Sequence, residues 1–474
     1  MLIGRTQELK LLESAWKEEG LGTLVLYGGR RVGKTALVRE FLAGRRAVFF
    51  TALESSLVQN LHNLHHAMVL SGLFTEEETG DLTDFDRTLA ALFHKACGEH
   101  VVLVFDDYPL LARSFPDISR LLTGFVTEYR SRARLLLLVC GSSLSWMEKQ
   151  LAQDGTLADL GARVLKLRPL DFLTLHRHFH RYSLQDAART YGIIGGTPQY
   201  LSWLSQEQSL KENVQQHVLT PGSQLFEEPG HLLQQEIREA AMYNAVLSAM
   251  ATGARRLSDI AAGAGLDTSA CTLYLNRLMT LDFVARELPL GEPKNRRKTI
   301  YRIKYPLFRF WYRYIPQTIS LLAAGRTEEV WERIVQDEPV YMQRIFADIC
   351  RQWLQTSPLV GSGATVGPWW GRDEQTKERV FVDLVAAEAT GDETANKPGD
   401  ASVGACVWDR PAQASDLQTL QRRARLLPFA GRRLFLFSAR GFAPDCRALA
   451  DALRKEERSL VTLVDFAEMT KPFS

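Results

Sequence analysis

Residues 28–35 read Gly-Gly-Arg-Arg-Val-Gly-Lys-Thr and follow the spacing G-x-x-x-x-G-K-[ST]. That spacing suits phosphate chemistry. Gly28 and Gly33 let successive backbone N–H groups of Gly29, Arg30, Arg31 and Val32 turn inward around an anion, while Lys34 supplies a point charge and Thr35 a hydroxyl for Mg²⁺. Ala36 opens a helical period running to residue 42, so the anion would sit at a helix N-terminus, where unsatisfied N–H groups and the helix dipole favour negative charge. Such a loop needs a second, carboxylate-bearing strand to hold the metal. Residues 101–105, Val-Val-Leu-Val-Phe, form a continuous apolar run that ends in Asp106-Asp107. Asp106 is expected to bind Mg²⁺ through water, and Asp107 to orient or activate the attacking water. A third run, residues 135–140, ends in Gly141-Ser142-Ser143. The Ser142 hydroxyl there is placed to sense a terminal phosphate, although the same tripeptide is also ordinary turn chemistry.

These groups need elements to position them. Residues 24–27 read as a buried strand leading into the loop, and Phe49-Phe50-Thr51 ends another. Residues 1–165 thus alternate strands and helices, which implies a parallel sheet covered on both faces. Residues 166–235 turn helical, broken by Gly195-Gly196-Thr197-Pro198. The break suits a helical lid folding back over a base, and equally a plain interhelix turn. Residues 236–315 follow another pattern. A helix over 235–251 precedes Ser258 as an N-cap, the turn Gly263-Ala264-Gly265, and Thr268 as the cap of a second helix through Leu281. This is helix-turn-helix grammar, with Leu273, Leu278 and Leu281 inward and Thr272, Asn276 and Arg277 outward. Two wing strands, 283–286 and 299–302, flank the loop Lys294-Asn295-Arg296-Arg297-Lys298. Ten Lys or Arg stand against five Asp or Glu across 255–304. Such a patch can pair with DNA phosphates, and it also suits a solvated wing or a protein-docking module. A helical linker over 316–345 leads to a final α/β unit, 346–474. It holds Gly367-Pro368-Trp369-Trp370-Gly371-Arg372-Asp373, a strand over 380–387 with Asp383, a polar loop over 390–400, a strand over 402–408, a helix over 413–427 and a strand over 433–438.

Composition narrows the function class. At 474 residues the chain has room for about three domains at roughly 150 residues each. A hydrophobic fraction of 46% with 24% charged residues fits a globular chain, and a net charge of +2 implies no global polyelectrolyte partner. Six scattered cysteines without a C-x-x-C pair suggest reduced, mostly buried thiols of a cytoplasmic protein rather than a disulfide framework or zinc site. With no apolar signal core and no run near the ~20 residues that span a bilayer, no membrane partner is expected. His62, His65 and His66 read as a solvated helix face. His176 and His180 lie four apart on one helical face without a third metal ligand.

The assembled motifs resemble the archaeal-type ATPase family of P-loop proteins, a branch of the signal-transducing (STAND-class) NTPases related to AAA+ ATPases. The resemblance is carried by Ile3-Gly4-Arg5 with Glu8, residues 27–35, Phe105-Asp106-Asp107, residues 140–143, residues 195–201, Phe310-Trp311-Tyr312 and residues 369–372. It implies ATP and ADP as ligands with Mg²⁺, and an adenine framed by Ile3-Gly4-Arg5 and by Gly196 and Pro198. It also implies a lid followed by a winged helix, and a last domain with a PD-(D/E)XK nuclease-like fold. The chain departs from the family pattern in that last domain. It has Ala347 after Phe346, keeps Asp383, and reads Ala405-Cys406-Val407-Trp408 where Glu-Cys-Lys-Trp is usual, so nuclease activity is expected to be absent. Asp107 replaces the usual Glu and is one methylene shorter, which implies slow hydrolysis. The expected fold is thus α/β: a P-loop, AAA+-like core with a helical lid, a winged-helix domain and a C-terminal restriction-endonuclease-like domain. The expected function is an ATP-binding, slowly hydrolysing switch coupled to the winged helix, with double-stranded DNA, a protein partner or a second copy of the chain as partner. The competing readings are an ATP-controlled DNA nuclease and a nucleotide-controlled protein-interaction scaffold.

Overall fold

The computed structural model describes residues 2–361, 363–387, 400–455 and 460–473. The chain forms two compact units. The first runs to Leu170 and takes in Thr197–Gln199 and Thr280–Asp282; the second comprises Asp171–Gly196, Tyr200–Met279 and the chain from Phe283 onward.

In the first unit, strands β1 (Leu21–Tyr27), β2 (Ala47–Thr51), β3 (Val101–Asp106), β4 (Leu135–Gly141) and β5 (Arg163–Lys166) form one sheet in the order β2-β3-β4-β1-β5. All its pairings are parallel. Every residue of β3 and β4 is buried, because apolar clusters cover both faces of the sheet and leave no polar face to alternate with. A parallel sheet brings its strand C-termini to one edge, so β1, β3 and β4 deliver the candidate residues to the same crevice. The edge strand β5 is largely exposed, which is why its sequence carries no apolar run.

The second unit begins with helices Phe172–His178 and Leu184–Ile194. The first ends at His178, so His180 does not share a helical face with His176. The helix expected over 235–251 is two helices, Gln224–Glu236 and Ala241–Ala251. Ile237 is extended (φ −141°), and the helical path stops there. Helices Leu257–Ala264 and Thr268–Thr280 follow, then an antiparallel hairpin of β6 (Val284–Glu287) and β7 (Ile300–Ile303).

Three local expectations are corrected here. Ser258 sits in the first turn and bonds to Asp259, so it is not the cap. The cap of the next helix is Asp267, whose Oδ1 accepts the N–H groups of Ser269 (2.8 Å) and Ala270 (2.9 Å); Thr268 is the first helical residue. That phase buries Cys271, Leu275 and Leu278 and leaves Leu273 71% exposed, two residues round from the apolar stripe.

Helices Pro306–Ala323 and Thr327–Thr356 come next, the second running unbroken through position 345. They lead to β8 (Thr365–Arg372), β9 (Arg379–Ala387), β10 (Asp400–Val407), β11 (Ala430–Ser438) and β12 (Leu460–Asp465). This second sheet is mixed: β8, β9 and β10 are antiparallel neighbours, whereas β10, β11 and β12 run parallel. Helices Ala414–Ala424 and Pro444–Lys455 provide its crossovers. The structure is thus α/β, with a parallel-sheet P-loop core and a separate C-terminal mixed sheet. Glu388 and residues 390–399 of the polar loop lie outside the described residues.

All six cysteines are free, and only Cys97 is exposed. Among the described residues no helix is long and apolar enough to cross a membrane, and no three His, Cys, Asp or Glu side chains gather as metal ligands. His65 instead lies 2.9 Å from the Thr88 hydroxyl.

Candidate nucleotide-binding site

The loop after β1 has a conformation only its residue types allow. A Cβ on Gly28 would stand 2.3 Å from the Leu167 carbonyl oxygen, so this position excludes any side chain. The Gly28 N–H donates to Gly141 O (3.2 Å) and pins the loop to the end of β4. Arg31 (φ 63°) and Gly33 (φ 92°) are left-handed, the geometry that turns neighbouring N–H groups into one concavity. Val32 is buried in the apolar layer and anchors the loop, while Arg30 and Ala36 are exposed at its rim. The first helical bond is Leu37 N–H to Gly33 O (2.9 Å). The N–H groups of Lys34, Thr35 and Ala36 therefore precede the ladder and face the helix N-terminus.

Lys34 is 6% exposed, and its ammonium donates to the carbonyls of Gly28 (3.0 Å) and Gly29 (2.9 Å). Burial lowers its pKa; Asp107 and Asp106 oppose that shift. The Thr35 hydroxyl donates to Asp106 Oδ2 at 3.0 Å, and Asp106 Oδ1 accepts the Asp107 N–H at 3.1 Å. Burial, and then the neighbouring charge of Asp107, push the Asp106 carboxyl up. Asp107 is left-handed (φ 50°, ψ 41°), which turns its side chain away from the strand direction so that Oδ1 accepts from the Ser142 hydroxyl at 3.0 Å. Lys34, Thr35, Asp106, Asp107 and Ser142 thus form one cluster built from the ends of β1, β3 and β4. The Thr35 and Asp106 oxygens are hard donors of the kind Mg²⁺ takes, and a carboxylate with a raised pKa gains from a cation in place of its proton.

The remaining expected residues fall around this cluster. Arg5 is buried; it donates to Glu8 (2.9 Å), Val32 O (3.0 Å) and Arg168 O (2.6 Å). It therefore ties the N-terminal segment to the loop and to the stretch after β5. Ile3 is half-buried, and Gly4 is left-handed (φ 61°). The Pro198 ring lies 3.8 Å from the Cβ position at Gly33. Gly196 is buried in the second unit. Sequence reasoning did not find Leu167 and Arg168, whose backbone carbonyls shape the loop; backbone groups leave no signature in residue types.

Arg277 on the helix Thr268–Thr280 and Lys294, Arg296 and Arg297 of the basic loop are exposed. Lys298 is not available to a partner in the same way. It pairs with Glu292 (2.6 Å), lies 5.5 Å from the Trp369 ring centre, and its carbonyl accepts the Trp370 indole N–H (2.8 Å). Arg255 and Arg302 also drop out of the patch, since both pair with Glu287 at 3.4 and 2.6 Å.

Comparison with known proteins agrees with this architecture. Residues 2–204 match the family described as "ATPase domain predominantly from Archaea", and residues 311–396 match one described as "Archaea bacterial proteins of unknown function". An uncharacterized protein of Methanocaldococcus jannaschii is 26% identical over 391 residues, covering 81% of this chain and 84% of that one. An uncharacterized ATP-binding protein of the same organism is 44% identical over 46 residues, 10% of this chain and 78% of its own. Among solved structures, a Walker-type ATPase of Pyrococcus abyssi shares the fold with a TM-score of 0.50 at 19% identity, over 66% of this chain and 96% of that one. In this chain the glycine-shaped loop and the acidic strand end both lie within residues 2–204, the part that matches the archaeal ATPase domain.

Proposed function

We propose that the chain binds ATP with Mg²⁺, hydrolyses it slowly, and uses the nucleotide state to switch its second unit. The observation that carries this reading is the contact chain from Thr35 through Asp106 and Asp107 to Ser142, with the Lys34 ammonium held over the loop carbonyls. Lys34 exchanges those carbonyls for phosphate oxygens. Thr35 and Asp106 hold the metal, which when bound neutralises charge developing on the phosphates. Asp107 orients the attacking water, and Ser142 fixes the Asp107 carboxylate from the next strand. Arg5 is a positioning residue for the loop. Ile3, Gly4 and Pro198 frame the base.

The switch reading is supported by the path of the chain. It re-enters the first unit at Thr197–Gln199, within the Gly-Gly-Thr-Pro break, and again at Thr280–Asp282, where the helix Thr268–Thr280 ends. A rearrangement at the nucleotide would be felt at both points. Amide exchange across residues 184–202 is therefore expected to be slower with ATP than with ADP, each with Mg²⁺, measured in the Asp107→Asn protein so that ATP persists. Equal exchange in the two states overturns the switch.

On the same reading, the three helices and hairpin over 241–303 are a winged helix whose exposed Arg277, Lys294, Arg296 and Arg297 meet duplex DNA. Replacing Lys294, Arg296 and Arg297 together by Ala is expected to weaken binding to any duplex and to reduce the salt slope by about 2–3, since each phosphate contact contributes roughly 0.9. Wild-type protein without DNA affinity at low salt makes this hairpin a docking element for a protein or a second copy of the chain.

The C-terminal sheet is a restriction-endonuclease-like scaffold without nuclease activity. Val407 is buried in its apolar core with Ala405 packed against it. Asp383 is pushed up to about 6 by burial, and it accepts the Cys406 N–H at 3.1 Å. Among the described residues Asp383, with alanine at positions 347 and 405 and no lysine at position 407, falls short of a metal-dependent nuclease site. Plasmid in the same DNA mixtures with Mg²⁺ is expected to remain supercoiled.

A further inference from the structure

The second unit contains a recess of about 540 Å³, lined from β7, β9 and the helices Pro306–Ala323 and Thr327–Thr356. It lies wholly outside the P-loop cluster. Six arginines line it (Arg255, Arg302, Arg309, Arg313, Arg344 and Arg351) against three carboxylates, Glu287, Asp348 and Asp383. The carboxylates are already engaged. Glu287 is shared by Arg255 and Arg302, and Asp348 by Arg302 (3.9 Å), Arg309 (3.6 Å) and Arg351. Arg313 is paired with Asp337, which does not line the recess, at 2.5 and 2.8 Å.

Two groups are left over. Arg344 makes no hydrogen bond or ion pair among the described residues, and the Arg309 Nε is buried without an acceptor. Arg344 is accessible to solvent yet hemmed in by protein, the condition of a side chain standing in a water-filled recess. Burial, and then Arg255, Arg309 and Arg313, hold its pKa down at about 10. Gathering like charges in a concavity works against folding, and it creates a focused positive field. Guanidinium forks match phosphate oxygens two at a time. One wall is aromatic: the Phe381 ring lies under the Arg255 guanidinium at 5.2 Å, and Tyr301 stands nearby in the lining. The volume is that of a small-molecule site and far below what a duplex would need.

We propose that this recess binds a small phosphate-bearing polyanion of about mononucleotide size, gripped by Arg344 in the positive field of the neighbouring arginines. Ala347, one turn along the helix from Arg344, lines the same recess and leaves it open.

The test uses full-length Lys34→Ala protein without Mg²⁺, so that the P-loop does not contribute, and titrates inorganic tripolyphosphate, ATP and a duplex 16-mer by calorimetry. Tripolyphosphate is expected to bind. Adding Arg344→Gln should weaken it at least tenfold while leaving the ligand-free unfolding midpoint unchanged or higher, because repulsion is relieved. Adding Ala347→Glu should weaken it similarly, by supplying an internal carboxylate at i+3. Tighter binding of ATP than of tripolyphosphate identifies a nucleotide as the source; equal binding identifies free polyphosphate. The proposal is overturned by absence of tripolyphosphate binding to the Lys34→Ala protein, by an affinity in both added variants unchanged from that of Lys34→Ala alone, or by capture of the duplex alone. A failed P-loop assignment would leave these outcomes unaffected.

Discussion

Lys34→Ala is expected to lower affinity for ATP with Mg²⁺ by a hundredfold or more, read by calorimetry or a fluorescent nucleotide. The ammonium is buried and satisfied by two loop carbonyls, so truncation removes a desolvated charge along with its bonds. Folding is thus affected modestly, whereas binding loses a cation at the phosphates. Charge-assisted hydrogen bonds contribute about 1.5–3 kcal/mol each, and about 1.4 kcal/mol is tenfold in affinity, so two such bonds exceed a factor of a hundred. The pH profile carries the same signature. Burial lowers the Lys34 pKa, so affinity is lost on the alkaline side earlier than an ordinary lysine at 10.5 would allow. Burial and Asp107 raise the Asp106 pKa, so the Mg²⁺-dependent part is lost as pH falls, beginning above the usual carboxylate value of 3.8. Equal ATP affinity in wild type and Lys34→Ala removes the P-loop from the mechanism.

Asp107→Asn is expected to keep ATP affinity within about threefold and to cut turnover by about 10²–10⁴, the range that general-base contributions span. Asparagine is isosteric, tolerates the left-handed backbone at this position, and can still accept the Ser142 hydroxyl, but it cannot take a proton from water. The converse change, Asp107→Glu, extends the carboxylate by one methylene and is expected to raise turnover if reach limits the wild type. Unchanged steady-state phosphate release in Asp107→Asn would assign water activation elsewhere.

Much of this site was legible before any tertiary contact was known, because its signals are local. Gly28 and Gly33 are spaced for a loop in which one glycine admits a backbone at close range and the other takes a positive φ. The apolar runs of β3 and β4 announce strands covered on both faces. The parallel order then follows, and with it the meeting of Lys34, Asp106 and Ser142 at one sheet edge. The second unit was read less accurately where the phase of a helix depended on its first residue. Taking Thr268 rather than Asp267 as the cap accompanied an inward Leu273, whereas the buried stripe is Cys271, Leu275 and Leu278.

Net charge along the chain also misled, since a count of basic residues over 255–304 cannot tell which are already paired. Lys298 belongs to Glu292 and two tryptophans from β8; Arg255 and Arg302 belong to Glu287. The arginine recess was not legible at all. Its members lie between positions 255 and 351, with no period or motif joining them, and Arg344 is distinguished only by what it fails to touch. The sequence by itself determined the phosphate loop, the acidic strand end and the α/β class, because glycine conformations and apolar periodicity act between neighbours in the chain. Only the tertiary structure decided which charges neutralise one another and which backbone carbonyl approaches Gly28, because electrostatic and steric contacts depend on distance in space.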